Sequence, residues 1–513
     1  MSTAFNTKVH LPDSGGENAS KLSETRHEKT NTGERASLLL KRDHVSLHKR
    51  KIWLGFVCLV AILGLYLLIT EETLNQYPDT SEELPLSFSS LSKTPYYYPP
   101  TLNNGTYDFN STVILISFDG FRADYLERKL TPVLRKFIHD GIRAEYMIPS
   151  FPSVTFPNHH TIITGLYPES HGMVGNEFFD PELKDSFCYS DPEKYRDPKW
   201  WDGEPLWVTA EKQDRKSGMM MWAGSEAKIK GYQPTYLVPH DNKVTPKDKV
   251  AKVMEWLDLP IEERPTFIAV YEGQLDSAGH KYGPYSKQLD DALKSVDDMV
   301  LDLLNGLAMR NLTDIVNVII VSDHGMSSTN AKNLVLLDDF IDTSLIHPLE
   351  GFPLGGIRPY NGNDIHEIYA TLQKASHDKN WNCYLRHQIP ERFNFRASKR
   401  ISPILCIPTH GWAFSTRRDF ALDAVPLGLH GYDNLIHDMQ AIFLARGPAF
   451  KHLTRENSTN ENNNNNNRFR FRNSDKSLSR TIEPFRNVEV YNIIAKILGL
   501  VPAVNNGTFG GII

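Results

Sequence analysis

The sequence has 513 residues, of which 40% are hydrophobic and 23% are charged, so it can form one large α/β domain with tails or two smaller domains. Residues 1–51 contain ten Lys and Arg against six Asp and Glu, a net charge of +4, and the rest of the chain carries −10. This acidic balance does not favour a nucleic-acid polymer as partner, and four cysteines are too few for a disulfide-stapled scaffold.

A single long apolar run near the N-terminus predicts a membrane anchor. Residues 52–69 hold no charged side chain and suffice, at about 1.5 Å per residue, to cross a hydrocarbon layer of roughly 30 Å. The basic cluster 48–51 precedes the run and Glu71 and Glu72 follow it, which places the N-terminus in the cytosol. A cleaved signal peptide is disfavoured by the long polar stretch before the run. We therefore expect a single-pass type II protein of the plasma membrane, with a cytoplasmic tail (1–51) and a signal anchor (52–70).

The segment after the anchor, residues 71–110, is rich in Ser, Pro, Tyr and Asn and lacks a helical or strand period, which predicts an extracellular stalk. Beyond the anchor the sequence also contains five Asn-x-Ser/Thr sequons, which are consistent with the secretory route and predict a glycoprotein. Their asparagines are Asn104, Asn110, Asn311, Asn457 and Asn506.

Short β-branched runs then alternate with amphipathic stretches, which predicts an α/β fold with a central, mostly parallel sheet flanked by helices. Buried strands are expected at Thr112–Phe118, Thr266–Tyr271 and Val316–Ser322, and a helix at Asp290–Leu307. One domain is expected over residues 111–513. A disordered insertion at about 455–478, where six consecutive asparagines occur, is expected to interrupt it.

Three cysteines lie beyond the anchor, at Cys188, Cys383 and Cys406. They allow one disulfide and leave one thiol over. Cys383 with Cys406 is one pairing, and the sequence leaves the others open.

Acidic residues and histidines follow the ends of the three predicted strands. Asp119 follows the first strand, Asp276 and His280 follow the second, and Asp323 and His324 follow the third. Since ligand sites in parallel sheets gather at the carboxyl ends of strands, these side chains are expected to meet. Carboxylates and neutral imidazoles are ligands of dications such as zinc. Each residue alone is more often a helix cap or an ordinary histidine, so it is their coincidence that predicts a metal site.

A loop between the first two strands, residues 149–154, leads into a segment that can begin a helix, with Pro157 suited to an early helical position. Thr155 would then lie at the helix N-terminus, where the dipole and the free N–H groups stabilise an alkoxide or a phosphate. A nearby metal would lower the pKa of the hydroxyl further and make Thr155 a nucleophile. The alternative is that Thr155 only caps the helix.

Several short motifs give the sequence a resemblance to a known family. They are Thr155-Phe-Pro-Asn-His, Thr164–Gly172, Gly203–Ala210, Ser322–Met326 and His430–Asn434, with Glu489–Ile493 and Asn505–Thr508 near the C-terminus. From about Thr112 onward the chain resembles the ectonucleotide pyrophosphatase/phosphodiesterases of the alkaline phosphatase superfamily. The resemblance implies an alkaline-phosphatase-like fold. It also implies an ecto-enzyme that hydrolyses phosphodiester or pyrophosphate bonds of extracellular nucleotides to nucleoside 5′-monophosphates.

The same resemblance implies two zinc ions in the catalytic domain. One would be held by Asp276, His280 and His430, and the other by Asp119, Asp323 and His324, with Thr155 bridging toward the second. Thr155 would be the nucleophile and would form a covalent threonyl intermediate.

Three further residues match binding positions of the family. Asn176 matches an asparagine that donates a hydrogen bond to the phosphoryl oxygen, with a turn residue as the alternative. Phe156 and Tyr271 match aromatic plates around a nucleobase, although either residue could instead be part of the core.

The sequence departs from the family at Gly273-Gln-Leu275, where acidic residues and a proline commonly precede the metal-binding aspartate, so the rim of the pocket is expected to differ. A choline-phospholipid (lysophospholipid or glycerophosphocholine) phosphodiesterase therefore stays open as an alternative, because lipid-cleaving members share the ligands and the threonine. An inactive surface receptor or adhesion module is a second alternative, which the intact ligand set disfavours. The expected partners are a small-molecule nucleotide and the membrane, and no obligate protein partner is indicated.

Overall fold

The computed structural model describes residues 101–377, 379–419, 426–451 and 481–508. All of them belong to the second of two units into which the chain divides, Ser87–Ile513. The predicted tail, the predicted anchor at 52–70 and the predicted insertion at about 455–478 lie outside the described residues. Within the described ranges, no helix combines the length and the apolar character needed to cross a membrane.

The centre of the fold is an eight-stranded sheet. In chain order its strands are β1 (Thr112–Phe118), β2 (Ile142–Ala144), β3 (Ser217–Met220), β4 (Tyr236–Val238), β5 (Phe267–Glu272), β6 (Val316–Val321), β7 (Phe443–Arg446) and β8 (Thr481–Ile482). Across the sheet the order is β8-β2-β7-β6-β1-β5-β3-β4. Strand β7 runs antiparallel to both of its neighbours, and all other neighbouring pairs are parallel. The prediction of a mostly parallel sheet is therefore confirmed.

Helices cover both faces of this sheet. They are α1 (Pro132–Asp140), α2 (Thr155–Thr164), α3 (Pro168–His171), α4 (Pro192–Tyr195), α5 (Leu206–Glu211), α6 (Pro246–Leu257), α7 (Gln274–Tyr282), α8 (Lys287–Met309), α9 (Ile365–Ser376) and α10 (Glu489–Leu498). Every residue of β1 is buried, and its alternate side chains enter two different cores. Helices α2, α5 and α10 pack into one core, and α1, α6 and α8 pack into the other. Burial on both faces explains why the central strands are apolar without alternation.

A smaller antiparallel sheet with its own core lies beside the central one. It consists of Gly355–Ile357, Ile404–Pro408 and Trp381–Leu385, and α9 packs against it. Cys383 and Cys406 face each other on neighbouring strands and form a disulfide, while Cys188 has a free thiol. Of the pairings left open by the sequence, the structure thus has the one between Cys383 and Cys406.

Short strands complete the described secondary structure, apart from short 3₁₀ helices of three to six residues. They are Thr101–Asn103, Asp108–Asn110, Met147–Ile148, Glu177–Asp180, Asp185–Cys188, Ser327–Ser328, Leu334–Leu336, Ala413–Ser415, Gly428–Leu429 and Phe485–Arg486.

The first two of these short strands correct the predicted stalk boundary. Residues 101–110 were assigned to the stalk, but they form an antiparallel hairpin within the folded part. Its turn contains Asn104, whose side-chain oxygen accepts a hydrogen bond from the Tyr107 N–H at 2.7 Å. The hairpin buries Phe109 beneath the guanidinium of Arg264, 3.7 Å from the ring centroid. The polar composition of residues 101–110 is therefore that of a short hairpin and its turn, and not that of a linker.

Four of the predicted sequons fall on described residues. Asn311 and Asn506 are exposed, Asn104 and Asn110 are partly buried, and Asn457 lies outside the described ranges. Glycosylation at these positions stays a prediction.

Candidate metal centre and nucleophile

The predicted ligands meet because β1 lies between β5 and β6 in the sheet. Asp119 follows β1, α7 follows β5 and carries Asp276 and His280, and Asp323 and His324 follow β6. All three parallel strands end at the same edge, where loops leave the sheet.

His430 reaches the same place from another part of the chain. It follows the short strand Gly428–Leu429, which pairs with Ser327–Ser328 just beyond the end of β6. The four predicted segments thus converge at one edge of the sheet.

One group consists of Asp276, His280 and His430. The Nε2 atoms of the two histidines are 3.1 Å apart, and each lies 3.4 Å from Oδ1 of Asp276. Four ligands at about 2.1 Å from a tetrahedral zinc lie about 3.4 Å from one another. The spacing of these three atoms therefore fits the ligands of one tetrahedral ion.

A second group consists of Asp119, Asp323 and His324. Nε2 of His324 lies 3.4 Å from Oδ1 of Asp119 and 3.0 Å from Oδ2 of Asp323. The Thr155 hydroxyl lies 3.3 Å from the same nitrogen. The rings of His324 and His430 stack with centroids 3.6 Å apart, so the two groups share a border.

The carboxylates each keep one oxygen toward this centre. Oδ1 of Asp119, Oδ1 of Asp276 and Oδ2 of Asp323 are buried and have no hydrogen-bond partner within the described ranges. The other oxygen of Asp323 accepts hydrogen bonds from the backbone N–H groups of Gly120 and His324, at 3.1 and 3.0 Å. Buried polar atoms in native proteins are nearly always paired, so three unpaired oxygens in one place indicate a missing cationic partner.

The three histidines are all oriented with Nε2 toward the centre. Nδ1 of His280, His324 and His430 each donates to a backbone carbonyl, those of Gly428, Gly325 and Ser153, at 2.8 to 2.9 Å. Since a carbonyl can only accept, Nδ1 carries the proton and Nε2 presents its lone pair to the centre. This second layer of hydrogen bonds is the usual arrangement around a metal-binding histidine.

The electrostatics of the centre also favour cations. Burial, with the negative charges of Asp323 and Asp276, raises the pKa of Asp119 well above its ordinary value. Burial, together with the neighbouring His324 and His280, lowers the pKa of His430 well below its ordinary value. The Asp119 carboxyl therefore resists ionisation and the His430 imidazole resists protonation, as expected where a bound dication supplies the balancing charge. Asp323 and His324 are shifted the other way: burial opposes both shifts, but their mutual attraction lowers the pKa of Asp323 and raises that of His324.

Thr155 is the first residue of α2. The position before it, Val154, supplies no side-chain cap, so the N–H groups of the first turn are not satisfied by a capping hydroxyl. The Thr155 hydroxyl instead faces His324. The interpretation of Thr155 as a simple helix cap is therefore not supported, and the hydroxyl lies where helix dipole and metal ligands meet.

Asn158 holds the loop of residues 150–154 in place, a role that the sequence did not predict. Its side-chain oxygen accepts from the Ser150 N–H at 2.7 Å and from Nδ2 of Asn487 at 2.9 Å. Its amide group donates to the carbonyls of Val154 and Pro152 at 2.9 and 3.0 Å. Asn158 stood within the motif at Thr155, but only the fold shows that it holds residues 150–154.

Asn176 contacts the residue that follows Thr155. Its side-chain oxygen accepts from the Phe156 N–H at 3.0 Å, which directs its NH₂ group to another acceptor. The half-buried ring of Phe156 packs near those of Phe187, Tyr189 and Trp201, with centroids 5.8 to 6.0 Å away. The roles predicted for Asn176 and Phe156 are compatible with these positions and stay predictions.

Tyr271 makes a contact that the sequence did not suggest. Its hydroxyl donates to Oδ2 of Asp119 at 2.5 Å, and its ring lies edge-on to that of His159. Its predicted role as a nucleobase plate stays a prediction.

Comparison with known proteins identifies the family. Residues 113–433, more than half of the chain, match the family described as type I phosphodiesterase/nucleotide pyrophosphatase. An uncharacterized pyrophosphatase/phosphodiesterase of Schizosaccharomyces pombe is 41% identical over 419 residues, which cover 80% of this chain and 81% of the relative. Human ectonucleotide pyrophosphatase/phosphodiesterase family member 1 is 36% identical over 414 residues, or 78% of this chain and 41% of the relative. The chain thus spans less than half the length of this mammalian relative.

Among solved structures, murine ectonucleotide pyrophosphatase/phosphodiesterase 5 aligns with a TM-score of 0.68 and 31% identity, over 77% of this chain and 97% of that one. That structure is an inactive threonine-to-alanine variant in complex with AMP. The human form of the same protein aligns with a TM-score of 0.67 and the same coverage.

We predict that replacing Asn158 destabilises the protein. Asn158→Ala is expected to lower the free energy of unfolding by about 3 kcal/mol, because buried groups of the loop lose their partners. Asn158→Asp is expected to be at least as harmful, since an oxygen would then face two carbonyls. Chemical denaturation measures the effect, with Asn363→Ala, at an exposed position, as the control. A wild-type midpoint for Asn158→Asp would show that the amide donors do not hold the loop.

We also predict that removing metal lowers the melting temperature. Chelation leaves the buried carboxylates without a partner, and adding zinc back is expected to restore stability, by about 4 kcal/mol at a thousandfold excess over Kd. Asp323→Asn should reduce the change in melting temperature that chelator and zinc produce, whereas the exposed control Asp302→Asn should show the full change. Equal responses of both variants to chelator and zinc would place the bound ion elsewhere.

Proposed function

Since the chain belongs to the type I phosphodiesterase/nucleotide pyrophosphatase family of the alkaline phosphatase superfamily, we propose that it hydrolyses phosphodiester and pyrophosphate bonds of nucleotides to nucleoside 5′-monophosphates. The observation that carries the proposal is the Thr155 hydroxyl, 3.3 Å from His324, at a helix N-terminus and beside a ready set of metal ligands. The AMP held by the related murine structure supports a nucleotide as substrate.

The proposed cofactors are two zinc ions per catalytic domain. Asp119, Asp323 and His324 would hold one ion, and the group of Asp276, His280 and His430 would hold the other. Mixed carboxylate and imidazole ligation with tetrahedral spacing suits zinc. When bound, the ions would lower the pKa of the Thr155 hydroxyl, polarise the phosphoryl oxygens and assist departure of the leaving group.

The proposed reaction has two steps at phosphorus. Thr155 Oγ1 forms a bond to phosphorus, the bond from phosphorus to the leaving oxygen breaks, and the proton from the Thr155 hydroxyl is balanced by protonation of the leaving group. Water then attacks the threonyl phosphoester, the bond to Oγ1 breaks, and the hydroxyl is regenerated with release of the nucleoside 5′-monophosphate. The inactivity of the murine threonine-to-alanine variant supports a threonine in this role.

The phosphoryl group is proposed to be stabilised by two groups near Thr155, the Asn176 amide and the N-terminus of α2. Asn176 is fixed through its oxygen by the Phe156 N–H, so its NH₂ group is free to donate to a phosphoryl oxygen. The start of α2 adds the positive end of its dipole. Removing one such preorganised donor typically costs a factor of about 10² to 10³ in kcat.

The nucleobase is proposed to lie against Phe156. This ring is half-buried, and it neighbours Tyr189, which is 47% exposed, so part of an aromatic surface faces solvent beside the nucleophile. Tyr271, whose hydroxyl contacts Asp119, is the second proposed contact.

The catalytic domain is proposed to face the outside of the cell, tethered by residues 52–70. The basic residues 48–51 before this run, the exposed sequons at Asn311 and Asn506 and the Cys383–Cys406 disulfide support an oxidising, extracytosolic location.

We predict that Thr155→Ala abolishes hydrolysis of the p-nitrophenyl ester of thymidine 5′-monophosphate, with kcat reduced by about a thousandfold or more. Thr155→Ser should retain measurable activity, because it keeps a hydroxyl, and Thr371→Ala on the exposed face of α9 should act as wild type. Chelated enzyme should be inactive and regain activity with zinc.

Lysophosphatidylcholine, assayed in parallel, separates the alternatives. Activity on the lipid alone would replace the nucleotide assignment with a choline-phospholipid phosphodiesterase. Absence of hydrolysis with either substrate by the zinc-loaded protein would favour a non-enzymatic surface module.

For the location, we predict that external protease removes a C-terminal epitope from intact cells while an N-terminal epitope is protected. An N-glycosidase should also reduce the apparent mass of the full chain. Protection of the C-terminal epitope would contradict the type II orientation.

A further inference from the structure

The contact between Tyr271 and Asp119 decides which oxygen of Asp119 faces the candidate metal centre. The Tyr271 hydroxyl donates to Oδ2 at 2.5 Å. The other oxygen, Oδ1, is buried without a hydrogen-bond partner in the described part of the chain and lies 3.4 Å from Nε2 of His324. A carboxylate that is held at one oxygen cannot rotate to present the other, so the phenol fixes the ligand atom.

Gly273 supplies the space that this contact needs. A Cβ atom at residue 273 would lie 2.6 Å from the Tyr271 hydroxyl oxygen and 3.1 to 3.2 Å from two ring carbons. The backbone of Gly273 has φ −107° and ψ 5°, which other residues also adopt, so glycine is required here by space and not by conformation. This is the position where the sequence departs from the acidic residues expected before Asp276.

The backbone that carries Tyr271 is itself braced. Nζ of Lys249 donates to the Tyr271 carbonyl and to Oε2 of Glu272, both at 2.8 Å, and the two charged side chains are buried. The other carboxylate oxygen of Glu272 accepts from the Gln274 N–H at 3.1 Å. The Glu272 carbonyl accepts from the Asp119 N–H at 2.9 Å, which ties the two strand ends together. The hydroxyl of Tyr271 and the carboxylate of Asp119 are therefore presented to each other from fixed backbones.

A purely aromatic role does not account for this geometry. A nucleobase plate or a core residue needs the ring of Tyr271 but not its hydroxyl, and phenylalanine would serve either purpose. The hydroxyl is nevertheless directed at a metal-ligand candidate, and residue 273 has no side chain that would displace it.

We propose that Tyr271 and Gly273 act as a positioning pair for the metal ligand Asp119: Tyr271 holds Oδ2 through its hydroxyl, and Gly273 leaves room for that hydroxyl. The inference rests on the proposed function only in requiring that Asp119 bind the metal. Partners that orient a metal ligand typically contribute a factor of about 10 to 100 in metal affinity.

The test measures zinc affinity of the purified full-length protein by competition with a chromophoric chelator, with no substrate present. Tyr271→Phe is expected to weaken one of the two zinc sites by about 10- to 100-fold. Gly273→Ala is expected to weaken the same site to a similar extent, because the added methyl group displaces the hydroxyl. The double variant should be no weaker than the weaker single variant, since both changes remove one hydrogen bond.

Two controls match these changes. Tyr360→Phe alters a phenol that is 61% exposed, and Gly362→Ala adds a methyl group where no atom lies within 4 Å, so both should bind zinc as wild type does. Melting temperatures in chelator should be similar for Tyr271→Phe and wild type, which separates ligand positioning from folding.

Zinc binding by Tyr271→Phe with wild-type affinity would overturn the inference, and so would fully additive losses in the double variant. The KM for the thymidine ester adds a second readout, because an aromatic plate alone predicts no change in KM or zinc affinity for Tyr271→Phe. Failure of the proposed function has a different signature: the zinc affinities would follow the expected pattern while neither substrate is hydrolysed.

Discussion

Three carboxylates, those of Asp119, Asp276 and Asp323, lie together at one edge of a buried sheet, and in the described part of the chain the basic side chains within 4 Å of them are histidines alone. Like charges about 4 Å apart repel by about 4 kcal/mol at an effective dielectric of about 20. A proton relieves part of this repulsion, as the raised pKa of Asp119 indicates, and a bound cation would relieve it with all three carboxylates ionised. The topology brings the three carboxylates together, since β5, β1 and β6 are parallel neighbours and a carboxylate follows each of them at the same edge of the sheet.

The rest of the site serves to hold this charge cluster in one geometry. Backbone carbonyls fix the histidine tautomers, and backbone N–H groups occupy one oxygen of Asp323. Asn158 ties the loop before α2 to the helix, so that the Thr155 hydroxyl arrives beside His324. The Thr155 hydroxyl, the proposed nucleophile, is thus held beside the candidate metal ligands by hydrogen bonds within the protein, and preorganisation of this kind is a main source of enzymatic rate enhancement.

The sequence was informative wherever a pattern is local. Apolar β-branched runs predicted the central strands to within one residue. Asp and His at or shortly after the strand ends predicted which side chains meet at the sheet edge, because a strand end and the residues that follow it are coupled by the chain itself. The helix predicted at Asp290–Leu307 is α8, longer by three residues at its start and two at its end. Heptad-like apolar spacing identifies such a helix but not its capped ends.

What the sequence could not supply depends on contacts between distant segments. Residues 101–110 have linker composition, and only their packing of Phe109 against Arg264 shows that they belong to the fold. The tie between Asn158 and Asn487 joins residues more than 300 positions apart. The departure at Gly273 was visible in the sequence, but its meaning required the position of the Tyr271 hydroxyl.

The most direct measurement is anomalous X-ray diffraction at the zinc absorption edge from crystals of the purified protein. The account predicts two strong peaks per chain, one bounded by Asp119, Asp323 and His324 and the other by Asp276, His280 and His430, with Thr155 beside the first. A single peak, or peaks at other residues, in protein that hydrolyses the thymidine ester would contradict the two-ion centre.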